Sequence, residues 1–565
     1  MSTENTHKHF WICVCFFSLL YGIFGTETVQ ASDTAEFLLL TEHTGLPHPP
    51  GYPWLISWFR IFHQLSVFSS VHRVAIANGC ISAISLGVLW CTSYQYTQHK
   101  ISSYLAVGAL AFQPLWLRYS TIPEAFSLLA LEYAIVAYLF SLSTVSRQHS
   151  WILGGCLALI VGGHHAGVLA FPMIVVLLYR YRFWLLDILG ISLVGLCSYL
   201  LLWNFSVEHN PHFWSWGAID NVDTLFRYIM RYDYGSLRIT HTSITGKWWE
   251  TPWMYLYDWS VDSWGLFPIV LLYTIWNKRG QNSATNVYRT ATHMWLVVAT
   301  WLFASVGLLA LFQLPISKEF LVHSNRFFMA PGIIIMPLIA IGMHTVARKI
   351  SFMQYVWMCV VAAFFAKNWI VVGRFDKRMA HFIEHSCANF PDNSIVFVRG
   401  DGAVFSLLYA QEVQGMCQQV NFVFPSMLGY TWYQQKISAQ GFRQPSTQNI
   451  MQDNISTRHI FVSLGMTNDG IEFSTVPWLG LWMQVLPDHT ALPSPQMVEE
   501  HLQQSMDDLH VSFFMENHFV QERVAESWVG DQYYHSWLSV STAYRDIGDN
   551  ISAERCVGMA EMFHK

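Results

Sequence analysis

The sequence predicts a polytopic α-helical membrane protein of about eleven transmembrane helices, followed by a C-terminal soluble domain of α/β and helical character. Three observations carry that class. Of the 565 residues 53% are apolar, 16% aromatic and only 12% charged, with a mean hydropathy of +0.30; a soluble globular domain carries about 25% charge. The charge is also uneven, since residues 1–372 hold 20 Lys+Arg and 16 Asp+Glu while residues 373–565 hold 11 and 21. Finally, the second part has no apolar run of the roughly 20 residues that a bilayer crossing needs. The chain therefore divides into a multi-pass membrane domain, 1–372, and an acidic soluble domain, 373–565. A net charge of -6 leaves no basic footprint and excludes nucleic acid as a partner.

Apolar stretches place spans near 9–25, 72–94, 101–117, 123–142, 151–163, 165–179, 184–203, 263–277, 292–313, 328–346 and 351–372. The first lacks a small-residue cleavage site and reads as a helix rather than a signal peptide. The two short spans flanking Gly162-Gly163-His164-His165 read either as one long helix or as a broken pair. With the N-terminus inside, the segments 95–100, 143–150, 180–183, 278–291 and 347–350 become cytoplasmic. They contain Lys100, Arg147, Arg180, Arg182, Lys278, Arg279, Arg289, Arg348 and Lys349 and no Asp or Glu. That satisfies the positive-inside rule and puts residues 26–71, 204–262, 314–327 and the C-terminal domain on the outer face. An odd number of spans is required for this.

The C-terminal domain opens as a βαβ unit: Ser394–Val398 as a strand, Gly400-Asp401-Gly402 as a turn, 403–414 with helical spacing and Val420–Phe424 as a second strand. The turn lacks the three glycines of a dinucleotide fingerprint. Strands near 458–464 and 481–486 follow, and 495–565 reads as amphipathic helices. Seven of the ten cysteines fall in spans as small apolar residues; Cys387 and Cys417 could pair in an oxidising compartment.

Chemistry is concentrated in the first outer loop. Asp33 and Glu36, three residues apart, share one face of a helix just after the first span. The turn His48-Pro49-Pro50-Gly51-Tyr52-Pro53 then fixes φ at several positions. A rigid turn beside an acidic pair holds carboxylates at the bilayer surface instead of leaving them solvated.

The motif Asp33-Thr-Ala-Glu36 followed by His48-Pro-Pro-Gly-Tyr-Pro53 resembles the signature of the transmembrane O-mannosyltransferase family, whose animal member modifies plexin-type receptor ectodomains and which has bacterial relatives. An ordered series extends the resemblance: Pro123-Glu124, Gly162-Gly-His-His165, Trp214-Ser-Trp-Gly217, Arg231-Tyr-Asp-Tyr-Gly235, Asn325-Arg-Phe-Phe328 and Trp432-Tyr433. Where the family often has Asp-Ser-Gly-Glu, Thr34 and Ala35 stand between the two acids. The resemblance implies a GT-C-type membrane glycosyltransferase that takes mannose or another hexose from a polyprenyl or dolichyl phosphate and passes it to a hydroxyl of a protein, glycan or lipid. It implies an integral protein of a bacterial inner membrane, or of the endoplasmic reticulum in a eukaryote, with the C-terminal domain periplasmic or lumenal. Asp33 is then the base at the acceptor, and C1 passes through an oxocarbenium-like state. Glu36 could orient Asp33, bind the acceptor or help hold a divalent metal; no cofactor beyond the lipid-linked donor is required.

A lipid phosphate leaving group needs cations on the outer side, where few are expected. Arg118, Arg231 and Arg326 are the candidates, because a guanidinium matches phosphate bidentately. Glu124, at the mouth of a span, is positioned to pair with Arg118. His164 and His165 sit at the junction of two short spans. The tryptophans Trp214, Trp216, Trp248, Trp249, Trp253 and Trp259 read as an interfacial belt. The rival class, a transporter or lipid flippase, would show internal repeats, and the sequence has none.

Overall fold

The computed structural model describes residues 3–30, 33–210, 213–232, 256, 260, 263, 265–278, 291–307, 326–369, 372–443, 446–463, 473–478, 482–487, 493–508 and 527–564. It has two compact units: residues 1–28 with 40–376, and residues 29–39 with 377–565. The division falls between Asp376 and Lys377, and again on either side of residues 29–39. The assignment of 29–39 to the second unit has no counterpart in the sequence reading.

The first unit is helical. Among the described residues five helical stretches have the length and apolarity to cross a membrane: Thr6–Phe24, Ser70–Thr97, Arg182–Val207, Gly332–Lys349 and the one opening with Met353–Asn368. The pair Pro114–Thr121 and Phe126–Ser141, bent by 117°, would make a sixth, and four shorter apolar helices accompany them. Among the described residues, proline interrupts one part of the expected pattern. The runs at 101–117 and 123–142 become Lys100–Ala111, Pro114–Thr121 and Phe126–Ser141. Pro114 starts a new helix, and residues 122–125 stay extended or turned. In an apolar interior a freed carbonyl must find a donor. Asn78 supplies it, its Nδ2 donating to Tyr119 O at 2.7 Å and Ile122 O at 2.6 Å.

The doubtful pair around Gly163 is a broken one. Arg147–Gly162 and Leu185–Cys197 run parallel: Ser192 donates to Gly154 O at 3.4 Å, Gly195 lies on Ala158, and Gly162 faces Ser198. Arg147 also meets Asp187 at 2.7 Å. The chain must therefore return between them, and His165–Arg180 is that return. It lies parallel to Phe126–Ser141, with Tyr133 reaching Ala166 O at 2.8 Å and Arg180 reaching Leu142 O at 3.1 Å.

The same contacts gather the basic loops at one end of the unit. Arg180 caps the end of Phe126–Ser141, Arg147 bridges to Asp187, and His293 stacks on Phe140 at 4.2 Å. Tyr96 bonds His293 at 2.7 Å, and Ser102 bonds His344 at 3.3 Å. Segments 95–100, 143–150, 180–183 and the starts or ends of the helices bordering 278–291 and 347–350 thus share one face. Residues 279–290 themselves lie outside the described residues.

The second unit carries a five-stranded sheet in the order β2-β1-β3-β5-β4, where β1 is Ile395–Phe397, β2 Asn421–Val423, β3 Ile460–Ser463, β4 Ser474–Trp478 and β5 Trp482–Leu486. β1 pairs parallel with β2 and β3, as a βαβ crossover through the helix Asp401–Glu412 requires; β5 pairs antiparallel with β3 and β4. β4 was not among the strands read from the sequence. β1 is wholly apolar, and β2 and β3 are apolar but for Asn421 and Ser463, because both faces of the parallel part are covered. Gly400, at φ 89°, makes the turn before the helix, a structural duty. Cys387 and Cys417 form a disulfide with Cα atoms 5.0 Å apart. The helices Pro495–Asp508, Ser527–Asp546 and Asn550–His564 end the unit.

Candidate functional site

Asp33 immediately precedes the helix Thr34–Glu42, its carbonyl accepting Phe37 N–H at 3.0 Å, and Glu36 lies in the first turn. Carboxylates at a helix N-terminus are favoured by its dipole. Both are buried, Glu36 completely and Asp33 to 8% exposure, so the reading of a solvated loop acid is excluded. Both belong to the second unit; from Leu40 onward the helix belongs to the first. Its C-terminal end is clamped there. Arg60 donates to Leu40 O at 3.1 and 2.9 Å and to His43 O at 3.0 Å, and lies over Phe205 at 4.1 Å. Burial pulls the Arg60 guanidinium below the usual arginine range, and the Glu208 carboxylate opposes that shift.

The chain after the helix is tied to the segment 208–216. Thr44 donates to Glu208 O at 2.9 Å, Leu46 N–H to Ser215 Oγ at 3.0 Å and Trp216 N–H to Leu46 O at 2.9 Å. Trp214 and Trp216 are consequently buried, at 1% and 5% exposure. This corrects the expectation of an interfacial belt at these two positions: they pack under the first loop. Trp248, Trp249, Trp253 and Trp259 lie outside the described residues, as do Asp233-Tyr-Gly235 and Asn325 of the family motifs.

The proline turn then reverses the chain. The Pro49-Pro50 bond is cis, Gly51 N–H bonds His48 O at 3.1 Å, and Pro53 opens the helix Pro53–His63. Gly51, at φ 104°, is required twice over, because a Cβ there would also collide with Leu202 and sit 2.8 Å from Tyr228. Tyr228 in turn bonds Pro47 O. The turn's product is a placed pair of rings: His48 Nε2 lies 3.1 Å from Tyr52 OH, and the Tyr52 ring meets that of His164 at 5.8 Å.

His164 sits at the Gly163 break and extends the cluster. Its ring approaches Phe126 at 5.4 Å; Phe126 meets Phe327 at 4.9 Å and lies under the Arg326 guanidinium at 5.5 Å. Arg326 faces Glu124, fully buried, at 3.9 Å. The next residue, His165, turns away to Tyr199 OH at 2.8 Å and Val161 O at 2.9 Å. Arg231, in the left-handed region at φ 54°, lies within electrostatic reach of His165. Within the first unit the structure therefore brings together His48, Tyr52, His164, Glu124 and Arg326, with His165 and Arg231 beside them, at the end opposite the basic loops.

Arg118 is held differently. Its Nη1 bonds Asp376 Oδ2 at 3.0 Å in a buried ion pair. Sequence order suggested Glu124 as its partner; the structure shows Arg118 bonded to Asp376, and Glu124 3.9 Å from Arg326. The sequence reading passed over Asp376, which lies 258 residues from Arg118, and Glu132. The second had a signal, a lone acid within an apolar run. Among the described residues no group of three or more His, Cys, Asp or Glu is disposed to hold a metal ion.

A polytopic helical protein with buried charges gathered at one end is the architecture of a membrane enzyme acting at the bilayer surface, and the comparisons with known proteins agree with that class. The sequence model of the protein O-mannosyl-transferase TMEM260 N-terminal domain matches residues 33–186, and that of TMEM260-associated domain 2 matches 377–463. The first match begins at Asp33 and takes in Glu36, the proline turn, Arg118, Glu124, His164 and His165. The chain is 22% identical to protein O-mannosyl-transferase TMEM260 of Mus musculus over 457 residues, 73% of this chain and 62% of that protein. It is 22% identical to the Dictyostelium discoideum protein of the same name over 371 residues, 58% of this chain and 43% of that one. The chain thus spans less than two thirds of the length of either. The resemblance read from the sequence motifs is therefore found again over the longer stretches that these comparisons cover. Solved structures with a likeness include ArnT from Cupriavidus metallidurans bound to undecaprenyl phosphate (11% identity, TM-score 0.47, 87% of this chain and 100% of that one). Another is the Archaeoglobus fulgidus oligosaccharyltransferase (10%, 0.46, 95% and 86%).

Proposed function

We propose that this chain is a membrane glycosyltransferase that moves mannose or another hexose from a polyprenyl or dolichyl phosphate to an acceptor hydroxyl, a protein Ser or Thr foremost. The observation that carries the reading is the cluster Tyr52, His164, Glu124 and Arg326, assembled from the proline turn and two broken helices, in a chain whose residues from Asp33 match a named O-mannosyltransferase domain. Asp33 takes the acceptor proton as the acceptor oxygen bonds to C1. The C1–phosphate bond breaks with its electron pair going to the lipid phosphate, and the anomeric centre inverts. Arg326 and Arg231 receive the phosphate. Arg326 lies 3.9 Å from Glu124, a looser approach than the 3.0 Å between Arg118 and Asp376, which favours Arg326 over Arg118 for this role. Glu36 orients Asp33 or contacts the acceptor, and a divalent metal is a further candidate there. The test is sugar release from purified polyprenyl phosphate mannose in detergent, with and without acceptor peptide; no release from any polyprenyl phosphate hexose would overturn the reading.

The basic loops face the cytoplasm and the second unit the periplasm or lumen. The gathering of these loops at one end and the Cys387–Cys417 disulfide, a bond of oxidising compartments, support that orientation. A cysteine introduced at Gly415 or Gln448 should label with an impermeant reagent on intact cells or sealed right-side-out vesicles. Labelling only after permeabilisation would reverse the orientation.

A further inference from the structure

We propose that Glu132 is a positioning residue of this site, holding the backbone break that presents His164. The inference rests on the reading of the cluster as a donor site. Glu132 lies in the helix Phe126–Ser141 and is fully buried. Its Oε1 accepts the N–H of His164 at 3.0 Å. That N–H is the second beyond the end of the helix Arg147–Gly162, after the cap residue Gly163, where the ladder has stopped. In an apolar interior an unpaired backbone donor costs free energy comparable to a lost hydrogen bond or more, so a break at this depth needs an acceptor brought from another helix. Glu132 is that acceptor.

The surroundings are cut to its carboxyl group. A Cβ at Gly163 would lie 3.0 Å from Oε1, and one at Gly167 would collide with Oε2. Two glycines of the broken segment thus leave the volume the carboxyl fills. Oε2 has no hydrogen-bond partner among the described residues, so the one directed contact of this buried acid is the one that fixes the break. Downstream, His164 Nδ1 accepts Ala166 N–H at 3.3 Å, and its ring meets Tyr52 and Phe126. Glu132 acts at one remove: it sets the peptide that sets the ring.

The experiment pairs a structural readout with a kinetic one. In purified full-length protein, Glu132→Leu should speed hydrogen exchange of the 163–167 amides about tenfold, the scale of one lost hydrogen bond, with the helix Ser70–Thr97 unchanged. Glu132→Gln, whose amide oxygen still accepts, should restore protection. Transfer from polyprenyl phosphate mannose should fall about a hundredfold in Glu132→Leu, the scale of a misplaced group, and recover in Glu132→Gln. Combining Glu132→Leu with His164→Ala should add little to His164→Ala alone, because residues acting through one another are not additive. Unchanged exchange, full transfer by Glu132→Leu, or additive losses would each overturn the proposal. Wild-type protein that transfers no sugar while the exchange results hold would instead fault the functional reading and leave the clamp intact.

Discussion

The two ends of the helical unit carry charge in opposite ways. At the basic end Arg147 meets Asp187 in the open and Arg180 bonds carbonyls at a helix end. At the other end Arg118 and Asp376 are both about 7% exposed, and Glu124 is fully buried beside Arg326. Exposed pairs contribute little to stability but, summed over loops, set which side of a bilayer they face. Buried pairs must overcome desolvation, so a protein that keeps them has a use for them. Under the proposed function, charge at the first end addresses topology and charge at the second addresses chemistry.

The largest effect is expected outside the helical unit, from Asp33→Asn, the proposed base. General-base assistance contributes about a hundred- to ten-thousandfold, so transfer should fall by that order while donor binding and abundance stay near wild type. Glu36→Gln should cost less if it orients Asp33, and comparably if it shares a metal, which chelator addition would reveal. Wild-type turnover by Asp33→Asn would remove it as the base.

Next in size is the Arg118–Asp376 pair. Removing one partner of a buried pair strands the other and costs about 3–5 kcal/mol, so Asp376→Asn or Arg118→Ala should lower the Tm markedly. An Arg118→Met/Asp376→Leu double variant should regain much of the loss. If Arg118→Ala instead kept its Tm but lost donor affinity, Arg118 would rejoin the phosphate clamp.

Reduction of the Cys387–Cys417 bond should destabilise the second unit by about 3–4 kcal/mol, the closure entropy of a loop of this length. The helical unit should be untouched, which differential scanning of intact and reduced protein would show. A smaller effect is expected for Arg326→Lys and Arg231→Lys, about tenfold in donor affinity each, since an ammonium cannot reproduce the planar fork. Equal donor affinity in both variants would move the clamp elsewhere. The smallest is Arg147→Ala at the basic end. Its Tm and turnover should match wild type, and a loss of activity there would erase the distinction between the two ends.

Much of this was legible in the chain. Periodicity located the βαβ unit of the second domain, because β1 to β3 are short, apolar and separated by turn residues. The proline turn and the Asp33/Glu36 spacing marked the first loop, because proline and a helical i,i+3 pair impose local geometry. Local signals failed where distant residues decide. Arg118 bonds Asp376, on no shared element, and Trp214 and Trp216 are covered by the loop around Leu46, not by the interface their composition suggested. The helix break after Thr121 needs Asn78 from another helix.

By itself, then, the sequence determined that the chain is a membrane protein with an acidic C-terminal part, where its basic segments fall, and which segment carries Asp33 and Glu36. Composition and short-range spacing are sufficient for those because the bilayer and the helix impose them residue by residue. Only the tertiary structure decided that the chain reverses direction at Gly163, that Arg326 faces Glu124 while Arg118 bonds Asp376, and that Glu132 reaches the His164 amide. Each of those is a satisfaction of a buried polar group by a partner remote in sequence, and in a low-dielectric interior the cost of leaving such a group unpaired selects the partner.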